Sequence, residues 1–214
     1  MRKSMINQVK NWRVLWPLAR LIPSSLLSLS KGRAFLLKEM PKNSICAEIG
    51  VWEGNFSKKI LQMVNPTKLY LIDPWICEQK DIFDHSIYGK KTTQTNLDNI
   101  YQQVVNRFSQ EINNGQVKIC RGYSHELCNN FDDNYFDWIY IDGNHQYEFV
   151  KKDLELYYPK IKVGGFITGD DYYGKGNWWQ DGVKRAVDEF IATNLVKVIK
   201  IKNGQFLLKK VGNP

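Results

Sequence analysis

No uncharged apolar run in the 214-residue chain approaches the roughly 18 residues a membrane-spanning helix needs. No internal repeat is present, and 15 glycines with 7 prolines fall without period, which excludes solenoid and collagen-like architectures. The four cysteines (Cys46, Cys77, Cys120, Cys128) form no CxxC pair and have no histidine cluster beside them. Neither a disulfide framework nor a structural zinc site is expected. Cys46 and Cys120 sit in apolar runs as buried thiols would, which points to a reducing, cytoplasmic compartment. Acidic residues are missing from the first 38 positions, which carry Arg2, Lys3, Lys10, Arg13, Arg20, Lys31, Arg33 and Lys38. The rest of the chain balances 22 Lys/Arg against 22 Asp/Glu, so the net charge of +8 describes an arm on a neutral globular part. That distribution argues against nucleic acid as a partner.

What is present is enough for one core: 43% of residues are apolar, among them 10 Phe, 7 Trp and 11 Tyr. We divide the chain into a basic arm, 1–40, and a domain, 41–214. Val9, Trp12, Trp16 and Ala19 recur at helical spacing in the arm, and Arg13 and Arg20 interrupt what would be a signal-peptide core. An amphipathic helix there would either lie on an anionic membrane surface through residues 1–38, making the protein peripheral to a membrane, or pack as a lid or homo-oligomer contact. Packing is the favoured reading.

From residue 41 the chain alternates strand-like and helix-like segments. Strands are predicted at Ile45–Ile49, Leu69–Ile72, Val117–Cys120, Trp138–Ile141 and Phe166–Thr168. Helices are predicted from Asn55 to Met63 and from Thr93 to Glu111, the latter with Leu97, Ile100, Val104 and Phe108 on one face. Trp75 to Thr92 has no period and reads as an insertion. Leu195–Ile201 and Phe206–Lys209 flank Asn203-Gly204, the signature of a type I′ hairpin. Alternating βα units closed by an antiparallel pair imply an α/β open sheet with helices on both faces, whose ligands bind beyond the carboxyl ends of the strands.

Four segments carry chemistry at such ends. Glu48-Ile49-Gly50-Val51-Trp52-Glu53-Gly54-Asn55 places an acid, a glycine turn and a helix start after the first strand. Trp52 stands where a dinucleotide fingerprint needs its second glycine, and no P-loop Lys-Ser/Thr follows. Glu48 suits a ligand with an amino group. Asp73, 23 residues beyond Gly50, lies near the spacing at which a carboxylate accepts from ribose hydroxyls. Asp142 with His145, and Asp170 with Asp171, put three carboxylates at neighbouring strand ends. Such charges repel unless a cation sits among them, and an all-oxygen set suits Mg²⁺, Mn²⁺ or Ca²⁺. His145 is a candidate general base, against a hydrogen-bonding role at a helix start. His85 and His125 are read as structural or solvated.

Glu48-Ile49-Gly50-Val51-x-x-Gly54, Leu71-Ile72-Asp73, Ile141-Asp142-Gly143-x-His145-x-Tyr147-Glu148 and Gly164-Gly165-x-Ile167-x-Gly169-Asp170-Asp171-Tyr172 resemble class I S-adenosylmethionine-dependent methyltransferases. The nearest branch is that of macrocin and sugar O-methyltransferases, with catechol O-methyltransferases more distant. The resemblance spans about Ile45 to Tyr173. It implies a Rossmann-like open sheet of seven strands, mostly parallel with the last strand antiparallel. It implies that Glu48, Gly50, Gly54 and Asn55 hold the methionine end of the cofactor, Asp73 its ribose, and Gly122, Tyr123 and Ser124 its adenine. The resemblance implies that Asp142 borders the cofactor as well. Asp142, Asp170 and Asp171 match metal ligands, and His145 stands where relatives carry a catalytic lysine or histidine.

The expected function is therefore S-adenosylmethionine-dependent, Mg²⁺-assisted methylation of a hydroxyl on a sugar or other small molecule, with His145 and Asp142 catalytic. Tyr172, Tyr173, Trp178 and Trp179 are candidates for an acceptor wall. The competing functions are an RNA or protein methyltransferase recruited by the basic arm, a dinucleotide oxidoreductase that Trp52 opposes, and a non-catalytic cofactor-binding protein.

Overall fold

The computed structural model describes residues 33–84, 86–89, 91–173 and 178–212. The amphipathic helix expected around residues 9–19, with its membrane or oligomer contacts, lies outside them, as does His85. Seven strands form one sheet: β1 (Ile45–Ile49), β2 (Lys68–Asp73), β3 (Val117–Arg121), β4 (Phe136–Ile141), β5 (Ile161–Gly169), β6 (Val196–Lys202) and β7 (Gln205–Lys210). Their order is β3-β2-β1-β4-β5-β7-β6. β3, β2, β1, β4 and β5 run parallel, and β7 is antiparallel to both β5 and β6. The predicted fold is the one observed. Asn203 (φ 55°) and Gly204 (φ 77°) both take the left-handed conformation that a type I′ hairpin requires.

Side-chain alternation splits the core into two layers. On β4, Ile139 and Ile141 face one side with Val150, Leu154 and Tyr157 of α6 (Tyr147–Tyr157) and Val183, Ala186 and Val187 of α7 (Gly182–Ala192). Trp138 and Tyr140 face the other, with Phe56, Ile60 and Val64 of α2 (Asn55–Val64) and Leu97 and Val104 of α3 (Gln94–Arg107). The α2 apolar residues recur every four positions, one stripe of a helix, and each contributes roughly 1.5–3 kcal/mol when buried. Residues 33–39, read from sequence as part of the arm, are a helix, α1, on this second face. Leu36 and Leu37 are fully buried, so this stretch packs as part of the domain core.

The long predicted helix is broken at Phe108 into α3 and a short α4 (Ser109–Asn113), and α5 (Ser124–Leu127) follows β3. Thr93 caps α3 by accepting from the Asn96 amide. The described residues of the aperiodic 75–92 stretch fold over the sheet's carboxyl edge: Trp75 is fully buried, and the Glu78 amide donates to the Tyr88 carbonyl at 2.7 Å. The four cysteines are unpaired. Among the described residues no helix is long and apolar enough to cross a membrane.

Candidate active site

The sheet reverses direction of growth between β1 and β4, and a crevice opens there above the carboxyl ends. Gly50 makes it possible. At φ 87°, an added Cβ would lie 2.1 Å from the Asp142 carbonyl oxygen, so only glycine lets the β1 turn meet the β4 turn. Trp52 takes φ 52°, an uncommon conformation for a bulky residue. Asp73 holds it there. Its Oδ2 accepts from the Val51 amide (2.9 Å), the Trp52 amide (3.0 Å) and the Tyr88 hydroxyl (2.7 Å), and its Oδ1 from the Trp75 amide (2.9 Å). One lone pair on Oδ1 remains for a ligand. The Trp75 indole donates to the Trp52 carbonyl at 3.0 Å, which ties the glycine turn to the covering segment.

The crevice is a cavity of about 520 Å³. Of the expected cofactor residues, Glu48, Gly50, Asn55, Asp73, Tyr123, Ser124 and Asp142 border it; Gly54 and Gly122 do not. Gly54 instead lies where a Cβ would come 2.7 Å from the Phe108 ring, and a Cβ on Gly122 would meet Leu127, so both serve chain packing. Phe83, Ser86, Ile87 and Tyr88 of the covering segment form the roof. Phe83 reaches Phe149 of α6 edge-on, with ring centroids 5.7 Å apart. His125, read as structural or solvated, borders the cavity and stacks on Tyr123.

Glu48 is buried and accepts from the Ser57 hydroxyl. Burial pushes its carboxyl up to about 8, with the Ser57 bond opposing and the Asp142 charge adding. At the far end Asp142, His145 and Asp171 present ligand atoms within 4.8 Å of one another. His145 Nε2 stands 3.4 Å from Asp142 Oδ1 and 3.4 Å from Asp171 Oδ2. Burial acts to lower the histidine's pKa, but the Asp142 hydrogen bond and the Asp142, Asp171 and Asp170 charges outweigh it, and the net shift is upward. The Trp179 ring packs edge-on against His145 with centroids 4.7 Å apart. Trp178 and Trp179 both border the cavity, whereas Tyr172 donates to Asp188 and Tyr173 is exposed.

Asp170 departs from the expected set. Its carboxylate accepts from Arg33 Nη2, from Gln205 Nε2 and from the Asp171 amide, while Arg33 Nη1 donates to Asp142 Oδ2 at 2.7 Å. A guanidinium thus lies between Asp142 and Asp170, where sequence reasoning put a metal. It also rests over the rings of Phe56 (5.6 Å) and Tyr140 (6.0 Å). Burial, then the Asp142 charge, pushes the Asp170 carboxyl up to about 7 against the pull of Arg33. Three donors suited to a divalent cation remain: Asp142 Oδ1, His145 Nε2 and Asp171 Oδ2. Two oxygens and one imidazole nitrogen favour manganese or another first-row ion over magnesium. Sequence reasoning missed Arg33, which carried no signal beyond its charge, and the roof residues, which have no period.

The family model described as a methyltransferase domain matches residues 47–172. The uncharacterized protein R132 of Acanthamoeba polyphaga mimivirus is 30% identical over 148 residues, covering 68% of this chain. The chain spans 58% of the length of that curated relative. Among solved structures, the O-methyltransferase NovP superposes with a TM-score of 0.59 at 20% identity, covering 84% of this chain and 80% of NovP. A candidate methyltransferase from Streptococcus mutans, solved in complex with SAH, gives 0.54 at 17% identity, covering 86% and 97%. At these identities the structural likeness speaks to the fold.

Proposed function

The chain belongs to the methyltransferase-domain family, and from that premise we propose that it moves a methyl group from S-adenosylmethionine to a hydroxyl of a small molecule, a sugar or other vicinal diol. The observation that carries this reading is one continuous cavity bordered by Glu48, Gly50 and Asp73 at one side and by Asp142, His145 and Trp179 at the other. Its volume of about 520 Å³ falls within the range of roughly 300–1,000 Å³ usual for small-molecule sites. The sequence motifs that resemble the macrocin and sugar O-methyltransferase branch support a glycosyl acceptor.

In the transfer, the acceptor oxygen attacks the sulfonium methyl in line. The C–O bond forms, the S–C bond breaks with its electron pair left on sulfur, and the hydroxyl proton leaves. His145 Nε2 takes that proton, and Asp142 and Asp171 stabilise the imidazolium that results. The roof over the cavity excludes water and holds both reactants at near-attack separation. A divalent cation held by Asp142, His145 and Asp171 would occupy Nε2 and supply acidification of the hydroxyl in place of that proton transfer.

The test is transfer of labelled methyl from S-adenosylmethionine into a panel of sugars and catechols, with and without chelator. Methylated oxygen on a vicinal diol, reduced roughly 10²–10⁴-fold by His145→Ala, is the expected result. Label appearing solely on nitrogen acceptors or on RNA would overturn it.

A further inference from the structure

The ends of β4 and β5 bring Asp142 and Asp170 side by side, and the Arg33 guanidinium bridges them, with Nη1 on Asp142 Oδ2 and Nη2 on Asp170 Oδ2. Two neighbouring carboxylates repel unless a cation lies between them, and a planar fork that reaches both at once suits that place. The arginine is anchored from behind. Leu36 and Leu37 of α1 are fully buried, and Lys200 of β6 pairs with Glu39 at 2.9 Å and stands over the Phe35 ring. Asp170 is oriented to match. Its Oδ1 accepts from the Asp171 amide at 2.8 Å and from Gln205 Nε2. The Tyr140 hydroxyl donates to Gln205 Oε1 at 2.9 Å, which turns the amide nitrogen toward Asp170. Both oxygens of Asp170 are thus engaged by N–H donors, whereas a metal ion needs a lone pair free of hydrogen.

The donor set left for a divalent cation is Asp142 Oδ1, His145 Nε2 and Asp171 Oδ2, and it includes the carboxylate whose other oxygen already receives Arg33 Nη1. A positive charge fixed on that carboxylate weakens its hold on a second cation. A tethered charge also acts at an effective concentration of about millimolar or above, which a free ion has to overcome. We propose that Arg33 is the resident cation of this site and competes a divalent ion away from it, so that His145 Nε2 stays free to take the acceptor proton. The proposal rests on the reading of this cavity as a methyl-transfer site. Of the two ways of handling the hydroxyl, it selects the histidine base over the metal.

The experiment is titration of Mn²⁺ into the full chain without cofactor, read by the electron paramagnetic resonance signal of the free ion. Wild type is expected to bind Mn²⁺ no more tightly than about 1 mM, the scale set by the tethered charge. Arg33→Met is expected to bind it at least about tenfold more tightly, a usual size for coupling between two ligands. Arg33→Met/Asp170→Asn is expected to lose most of that gain, because the second carboxylate facing the gap is then neutral. A smaller gain in Arg33→Met, or a gain that survives intact in the double variant, would overturn the proposal. Should the variants fail to fold, wild type alone decides, since a dissociation constant below about 1 mM contradicts exclusion by Arg33. Absence of methyl transfer alongside the expected Mn²⁺ results would overturn the functional reading and leave the competition between Arg33 and the ion standing.

Discussion

Replacing Arg33 with methionine isolates what its charge does. The methionine keeps an apolar stem over Phe56 and Tyr140, but Asp142 and Asp170 then face each other without the guanidinium between them. The three side chains are 24%, 14% and 9% exposed. Removing one partner of a buried ion pair costs roughly 3–5 kcal/mol. With a quarter of the guanidinium in water, about 2–3 kcal/mol is the fitting magnitude, discounted for solvent screening. In a chain of this size each kcal/mol moves the melting temperature by about 2–4 °C, so differential scanning calorimetry should read a fall of about 4–12 °C. The double variant Arg33→Met/Asp170→Asn should recover part of that fall, because it removes a carboxylate that the single variant leaves unpaired. A melting temperature within about 1 °C of wild type, or no recovery in the double variant, would refute the claim that Arg33 neutralises this pair.

Further expectations concern Gly50, Gly115, Glu48 and Tyr88. Gly50→Ala should cost roughly 3 kcal/mol or more in a denaturant titration, since its Cβ would stand 2.1 Å from the Asp142 carbonyl. Gly115→Ala, also at positive φ but with nothing within 4 Å, should cost only about 1–2 kcal/mol. Glu48 has a folded pKa of about 8, above its ordinary 4.5, so the folded state holds the proton more tightly. Its contribution is fully present below about pH 4.5 and is lost as pH rises through about 8. Glu48→Gln should flatten that slope in melting curves taken across the window, and a slope unchanged by the substitution would refute the assignment. Tyr88→Phe removes a donor to the buried Asp73 carboxylate, a bond worth roughly 1.5–3 kcal/mol. Hydrogen exchange at the Glu78 amide, bonded to the Tyr88 carbonyl, should accelerate; unchanged protection would detach Tyr88 from the roof's stability.

Most of the sheet was legible because it depends on local patterns. The Ile45–Ile49 run matched its strand end for end, and Asn203-Gly204 announced the hairpin through a backbone requirement that few residues meet. Glu48, Asp73, Asp142 and His145 stood out because chemistry at strand ends has fixed spacing from the preceding apolar run. Arg33 did not, since it acquires its role only when elements distant in sequence converge. Arg33 lies 109 residues from Asp142. The 75–92 roof was equally silent. It is held by side-chain bonds to Asp73 and by the buried Trp75 ring, neither of which imposes a period. Gly54 and Gly122 carried the right motif but answer to Phe108 and Leu127.

The most direct trial of the account is a crystal structure of the full chain soaked with S-adenosylhomocysteine. Density for the ligand should fill the cavity with its sulfur turned toward His145 and Asp142 and its base beside Tyr123 and Ser124. Ligand density elsewhere on the surface, or a sulfur facing away from His145, would contradict methyl transfer at this site.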